Sequence, residues 1–183
     1  MSTMKVLICQ EIKNLVWEVR ERPVPGDNEA LIKIKTVGIC GTDIHAWAGN
    51  QPFFSYPRVL GHEICGEIIE SGKNIHNFNI GQQVAVIPYI SCQQCPACKS
   101  GRTNCCEKIS VIGVHQDGGF SEYLSVPVAN ILPADGIDPQ AAALIEPFAI
   151  SAHAVRRAAI APSEQVLVVG AGPIGLGAAA IAK

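Results

Sequence analysis

From Glu29 to Cys40 the chain reads EALIKIKTVGIC, with small or apolar side chains alternating with lysines. Ala30, Ile32, Ile34 and Thr36 fall on one face of an extended strand, Lys33 and Lys35 on the other. Shorter runs of the same texture surround it: KVLIC, CGEIIESG, GQQVAVIPYI, and GGFSEYLSVPVANILP, which reads as one or two strands interrupted at Pro127. Runs this short, punctuated by Gly, Pro and Asn, predict a compact, barrel-like, mainly β domain over residues 1–132 rather than βαβ units.

The pattern changes at Pro133. DGIDPQAAALIEPFAISAHAVRRAAI is Ala-rich and helical, with Asp138 suited to the N-cap and Pro139 to the first helical position. Pro147 should break or kink this segment, so two helices are expected to meet near Glu146. QVLVV then predicts a strand buried on both faces, followed by a Gly-rich turn and a helix. Residues 133–183 therefore read as a helical connection and a first strand–turn–helix unit. Such an opening cannot bury its own faces without partner strands. The chain is therefore expected to be a fragment, or to complete itself with another chain.

Composition narrows the function. At 48% hydrophobic and 16% charged residues the chain can build a core, so it is not a disordered polypeptide. A formal net charge of −2 leaves no electrostatic footprint for nucleic acid or an anionic membrane. The N-terminal residues suit neither a signal nor a transit peptide. No window approaches the roughly 20 apolar residues of a membrane span. The expected location is the cytoplasm, where thiols stay reduced and clustered cysteines point to metal rather than disulfides.

That bears on CQQCPACKSGRTNCC, five cysteines between Cys92 and Cys106. The spacing C-x2-C-x2-C-x7-C, with Cys92, Cys95, Cys98 and Cys106, lets one loop wrap an ion and a later residue close a four-thiolate zinc site. Cys105 is the alternative fourth ligand. Buried free thiols fit a loop this rich in Lys, Arg, Gln, Asn and Ser poorly. A redox C-x-x-C lacks its helix context, and an iron–sulfur cluster is the remaining competitor. A closed four-thiolate site would be structural.

A second constellation joins GICGTDIH to LGHEICGE. Cys40 ends a predicted strand, and His62 and Glu63 follow 22 and 23 residues on. Each alone is weak, but Cys, His and a carboxylate beside turn-forming glycines make a ligand set suited to zinc. HEICG lacks the second His of a zinc-protease helix. The third is VLVVGAGPIG, in which Gly170, Gly172 and Gly175 form G-x-G-x-x-G after a predicted strand and before a helix. There the backbone can approach a pyrophosphate at a helix N-terminus, the Rossmann arrangement. The acidic residue that would separate NAD from NADP falls beyond Lys183.

Taken together, GxCGTDIHxxxG, GHExxGE, the four-cysteine lobe and GAGPIG resemble, in order and spacing, the zinc-dependent medium-chain alcohol and polyol dehydrogenases, including bacterial sugar-acid dehydrogenases. The resemblance covers essentially the whole chain. It implies a mainly β GroES-like catalytic domain (1–132) with a structural zinc lobe (90–108), followed by the truncated start of an α/β Rossmann domain (133–183). It also implies two zincs per chain and NAD or NADP. The lobe zinc would take Cys92, Cys95, Cys98 and Cys106. The catalytic zinc would take Cys40 and His62, with Glu63 or Glu146 as third ligand. In LIEPFAISAHA a glutamate stands where other branches of the family supply a second cysteine. Thr42 would accept the substrate proton and His45 pass it to solvent through the cofactor ribose. Gly170, Gly172, Pro173, Ile174 and Gly175 would face the dinucleotide. The implied substrate is a small-molecule alcohol, polyol or sugar acid, and the implied full-length protein a homo-oligomer. The 183-residue chain alone is expected to be inactive. Two other readings remain: a truncated, non-catalytic zinc module, and a zinc-free quinone-reductase-like relative, which would need neither Cys40/His62 nor the cysteine lobe.

Overall fold

The computed structural model describes residues 2–52 and 54–183. Ten strands and five α-helices follow in chain order: β1 Thr3–Glu11, β2 Asn14–Glu21, β3 Glu29–Gly38, α1 Gly41–Ala48, β4 Arg58–Val59, β5 Glu63–Ser71, β6 Gln83–Val86, β7 Tyr89–Ile90, α2 Pro96–Lys99, β8 Ser110–Val111, β9 Tyr123–Pro127, β10 Ile131–Pro133, α3 Pro139–Ala143, α4 Ile145–Ala158 and α5 Pro173–Ala182. The strands form three antiparallel sheets in the orders β2-β1-β4, β10-β6-β5-β3-β9 and β7-β8. Residues 120–122 stitch the first sheet to the second. Leu7 N–H donates to the Phe120 carbonyl at 2.8 Å, and Ile34 N–H to the Glu122 carbonyl at 3.0 Å. The result is the mainly β, barrel-like architecture that the short strands predict.

β3 departs from strict alternation. Ala30, Leu31 and Ile32 are all fully buried, because the β3–β5 register shifts between Leu31 and Ile32 and again between Ile34 and Thr36. A bulge of this kind turns consecutive side chains inward and increases the local twist. Ile34 and Thr36 are only half-buried. The core beneath gathers Ala30, Ile32, Ile64, Ile68, Val84, Val126 and Ile131 from five strands. On the other side of the sheet α3 packs through Ala142 and Ala143 against Cys65 and Ala85, small residues that allow close approach.

The helical connection divides near the expected place. The Asp138 carboxylate accepts from the Gln140 and Ala141 amides at 2.9 and 3.3 Å and caps α3, and the break before α4 falls at Leu144. The expected strand at Gln165–Val169 does not form. These residues join no sheet, and Leu167 and Val169 are 87% and 90% exposed. A parallel strand gains its hydrogen bonds and apolar cover only from neighbours, and no described strand lies beside this segment. The glycine turn and α5 form nonetheless. No described helix is long and apolar enough to cross a membrane.

Ile68 lies at the centre of the larger core with no exposed surface. Ile68→Ala is expected to lower unfolding free energy by about 2–5 kcal/mol in urea titration. A loss well below ~1 kcal/mol would mean that this layer is not the core.

Candidate functional site

Cys40 lies two residues beyond the end of β3 and is the N-cap of α1. Its Sγ accepts from the Thr42 amide at 3.5 Å, while the Asp43 carboxylate accepts from the Cys40 amide at 2.9 Å. This reciprocal capping box aims the positive end of α1 at the sulfur. Asp43 is 3% exposed, and its other oxygen accepts from the Gly61 amide at 3.1 Å. It thereby ties α1 to the turn that precedes β5, where His62 and Glu63 sit. Gly61 has φ +90°, and a Cβ there would meet the Phe120 ring at 2.7 Å.

His62 is buried, and its Nδ1 lies 3.7 Å from Asp43 Oδ1 without a hydrogen-bond partner. With Nδ1 turned to Asp43, Nε2 is left for the other side. Glu63 pairs with Gly38 across β3 and β5. A Cβ at position 38 would lie 2.9 Å from the Glu63 Cβ and 2.0 Å from its Oε2. Glycine at 38 is what lets the Glu63 side chain lie across the end of β3 toward Cys40. One ligand atom each from Cys40, His62 and Glu63 lies within 4.8 Å of the others.

Charge at this cluster is strongly perturbed. The Cys40 thiol is lowered chiefly by its bond with His62, against burial and with help from the Thr42 amide. Burial would depress His62, but the Cys40 sulfur and the Asp43 carboxylate outweigh it and lift the imidazole to about 9. Burial pushes the Glu63 and Asp43 carboxyls up. Soft, borderline and hard donors converge on one buried point that favours positive charge, which fits a zinc ion with one coordination position left over.

Glu146 lies beside this trio rather than within it. It occupies the first turn of α4, and its Oε1 accepts from the Tyr89 hydroxyl at 2.5 Å. Burial first, and then that carboxylate, raise the Tyr89 phenol, so the hydroxyl is the donor. Thr42 and His45, on α1, form one wall of an open cleft of about 610 Å³. Gly170, Gly172, Pro173, Ile174 and Gly175 form the facing wall, and Cys40 and Glu63 lie between. Gly170 has φ +108°, and a Cβ on Gly175 would sit 2.0 Å from its carbonyl oxygen. The turn therefore needs glycine at both positions.

In the lobe, Cys92, Cys95, Cys98 and Cys106 bring four sulfurs within 4.8 Å of one another. Cys105 is exposed and lies outside the group. Backbone amides point at the sulfurs: Cys92 N–H to Cys106 Sγ at 3.2 Å, Cys95 N–H to Cys92 Sγ at 3.4 Å, and Lys108 N–H to Cys106 Sγ at 3.3 Å. Amide donors of this kind lower Cys92 to about 6, while burial raises Cys98 to about 12. The Cys92 and Cys98 sulfurs are 4.0 Å apart, against about 3.8 Å for two corners of a tetrahedral Zn–S₄ site. The spacing fits one ion.

Apart from Glu146, the residues singled out from sequence thus fall into two donor clusters and one cleft. Two neighbours escaped that reading. Asp43 carries a legible signal, a capping box three residues after Cys40. Tyr89 carries none, since it meets Glu146 across 57 residues of chain.

Comparison with known proteins identifies the family. Residues 26–136 match the family of the alcohol dehydrogenase GroES-like domain. The chain is 88% identical over its full length to L-galactonate-5-dehydrogenase of Escherichia coli K12, covering 54% of that protein. A crystal structure of an alcohol dehydrogenase (rspB) from E. coli CFT073 complexed with NADH is 40% identical with a TM-score of 0.91, covering 97% of this chain and 52% of that one. A cobalt- and zinc-bound thermostable alcohol dehydrogenase from Pyrobaculum aerophilum is 32% identical with a TM-score of 0.90, covering 99% and 56%. The chain spans about half the length of the curated relatives it matches.

Asp43→Asn keeps the size of the side chain but removes the charge facing His62. It is expected to weaken metal binding at the Cys40 cluster by about 10–100-fold while the lobe keeps its ion. Chelator competition on the purified chain checks this, and equal affinity in the two proteins would remove Asp43 from the site.

Proposed function

This chain belongs to the alcohol dehydrogenase GroES-like family, and on that premise we propose that it carries the catalytic zinc centre and the first wall of the cofactor cleft of an NAD(P)-dependent dehydrogenase. The proposed substrate is a secondary hydroxyl of a polyol or sugar acid, L-galactonate first among them. The observation that carries this reading is the cleft in which Cys40 and Glu63 lie between Thr42 and His45 on one side and the glycine turn on the other. The high identity to L-galactonate-5-dehydrogenase supports the choice of substrate.

Cys40, His62 and Glu63 would hold the catalytic ion, and Cys92, Cys95, Cys98 and Cys106 a structural one. When bound, zinc and NAD(P) supply Lewis acidity toward a hydroxyl and a hydride acceptor, respectively. The chain's own residues do the rest. The Thr42 hydroxyl, 3.6 Å from the Cys40 sulfur, stands where a substrate hydroxyl would shed its proton. His45 is exposed one turn further along α1, on the same face, and suits transfer of that proton to solvent. Gly170 and Gly172 keep side chains out of the path of a pyrophosphate, and the N-terminus of α5 favours its charge. Asp43 holds His62 in one orientation, and the burial of both side chains strengthens their interaction.

Elemental analysis of the dialysed chain is expected to find two zinc ions. Cys106→Ser should lose the lobe ion and Cys105→Ser should keep both. Cys40→Ser should lose only the other ion and, in the whole protein, abolish NAD(P)H formation from L-galactonate. Iron and sulfide in place of zinc, or turnover that survives Cys40→Ser, would sink the proposal.

A further inference from the structure

A second cavity, of about 570 Å³, lies between the cysteine lobe and α4, and it shares no residue with the glycine-turn cleft. Ile87, Ile109, Val111 and Ile150 give it apolar walls, and Thr103 and Asn104 add a hydroxyl and an amide from the lobe. Such a lining suits a carbon chain that carries hydroxyls: its C–H groups rest on the apolar walls, and a few polar groups set its orientation. Tyr89 lines the cavity where α4 begins, with its hydroxyl on Glu146 beside the Cys40 cluster. Arg156 lines it in the last turn of the same helix. The cavity therefore runs along α4, away from the cluster.

The far end of this cavity carries a positive charge with nothing to neutralise it. His153 and Arg156 are one turn apart on the helix face that also bears Glu146, while Ser151 turns the other way to α5. From Glu146 to His153 the helix rises about 10 Å. The Arg156 side chain leans back toward the helix start, and its Nη2 donates to His153 Nδ1 at 3.2 Å. With Nδ1 accepting, the neutral imidazole keeps its proton on Nε2, where it is a donor. Among the described residues no carboxylate lies within ion-pair distance of Arg156. A charged planar fork beside a second N–H donor is the chemistry that recognises a carboxylate.

We propose that His153 and Arg156 bind the carboxylate of a sugar-acid substrate, whose carbon chain lies along α4 with its reacting hydroxyl turned past Tyr89 toward the Cys40 cluster. This deepens the reading of that cluster as the centre that receives the substrate, and rests on it. The span of α4 between the two ends matches a sugar acid of the size of L-galactonate. The pair selects the acid over the neutral polyol with the same carbon skeleton, because only the acid carries a charge for Arg156 to hold.

The test titrates the zinc-loaded 183-residue chain with L-galactonate and, separately, with galactitol, the neutral polyol. Binding is followed by the His153 ring signals in the NMR spectrum, assigned with His153→Gln. The wild-type chain is expected to bind the acid about tenfold more tightly than the polyol, the low end for hydrogen bonds to a charged group because the site is open to water. Arg156→Gln should remove that advantage and leave galactitol binding unchanged. Arg156→Lys keeps the charge without the fork and should fall between the two. Failure of the wild-type chain to bind the acid, equal affinity for acid and polyol, or a loss in Arg156→Gln that is the same for both ligands overturns the proposal. Cys40→Ser should weaken both ligands alike and leave the effect of Arg156→Gln intact. Acid binding that depends on Arg156 but is untouched by Cys40→Ser overturns the reading of the cluster as the substrate centre, and the proposal with it.

Discussion

The buried carboxylate of Asp43 is the constraint on which the proposed catalytic centre depends. It closes the capping box on Cys40, receives the Gly61 amide, and faces the Nδ1 of His62. Cys40 and His62 lie 22 residues apart on different elements, and this one side chain sets their separation. A buried carboxylate is costly unless hydrogen-bonded and matched by nearby positive charge. Here two amides and an imidazole whose protonated form is favoured supply the match. Helix α1 cannot shift without breaking the bond to Gly61, and the 61–63 turn cannot shift without exposing the carboxylate.

The two donor clusters are assembled by different physics. The lobe is local: four cysteines within fifteen residues, their sulfurs gathered by a short helix and by amides that donate to them. Four thiolates leave no position open, which suits a fixed structural ion. The Cys40 cluster is non-local and chemically mixed. Its place at the junction of α1, β3 and β5 opens it to the cleft, and glycine at position 38 admits the Glu63 carboxylate.

Helix α4 links this centre to the glycine turn. Glu146 lies in its first turn. Further along, the fully buried Ser151 sets its hydroxyl 3.2 Å from the Pro147 carbonyl and 3.0 Å from the Ile174 carbonyl of α5. A Cβ at Gly177 would lie 2.6 Å from that hydroxyl oxygen. Glycine at 177 therefore answers to α4 rather than to the turn built on Gly170, Gly172 and Gly175. One helix thus carries a carboxylate beside the Cys40 cluster and a grip on the helix that follows the glycine turn.

The sequence by itself determined what depends on short spacing. The cysteine lobe, the cap at Asp138 with its following helix, the helix break beside Glu146 and the G-x-G-x-x-G turn were all legible, because the interacting groups lie within one or two turns of chain. Cys40, His62 and Glu63 were legible only as a motif, since nothing local says that they meet. Tertiary structure alone decided where each glutamate lies: the β3–β5 register sets Glu63 opposite Gly38 and near Cys40 and His62, while Glu146 meets Tyr89. It also decided the inward bulge at Leu31 and the failure of Gln165–Val169 to form a strand. An apolar run marks a segment that can pair, but a strand exists only where a neighbour supplies its hydrogen bonds. Local spacing fixes what the backbone can satisfy by itself, and contacts between distant segments fix the rest.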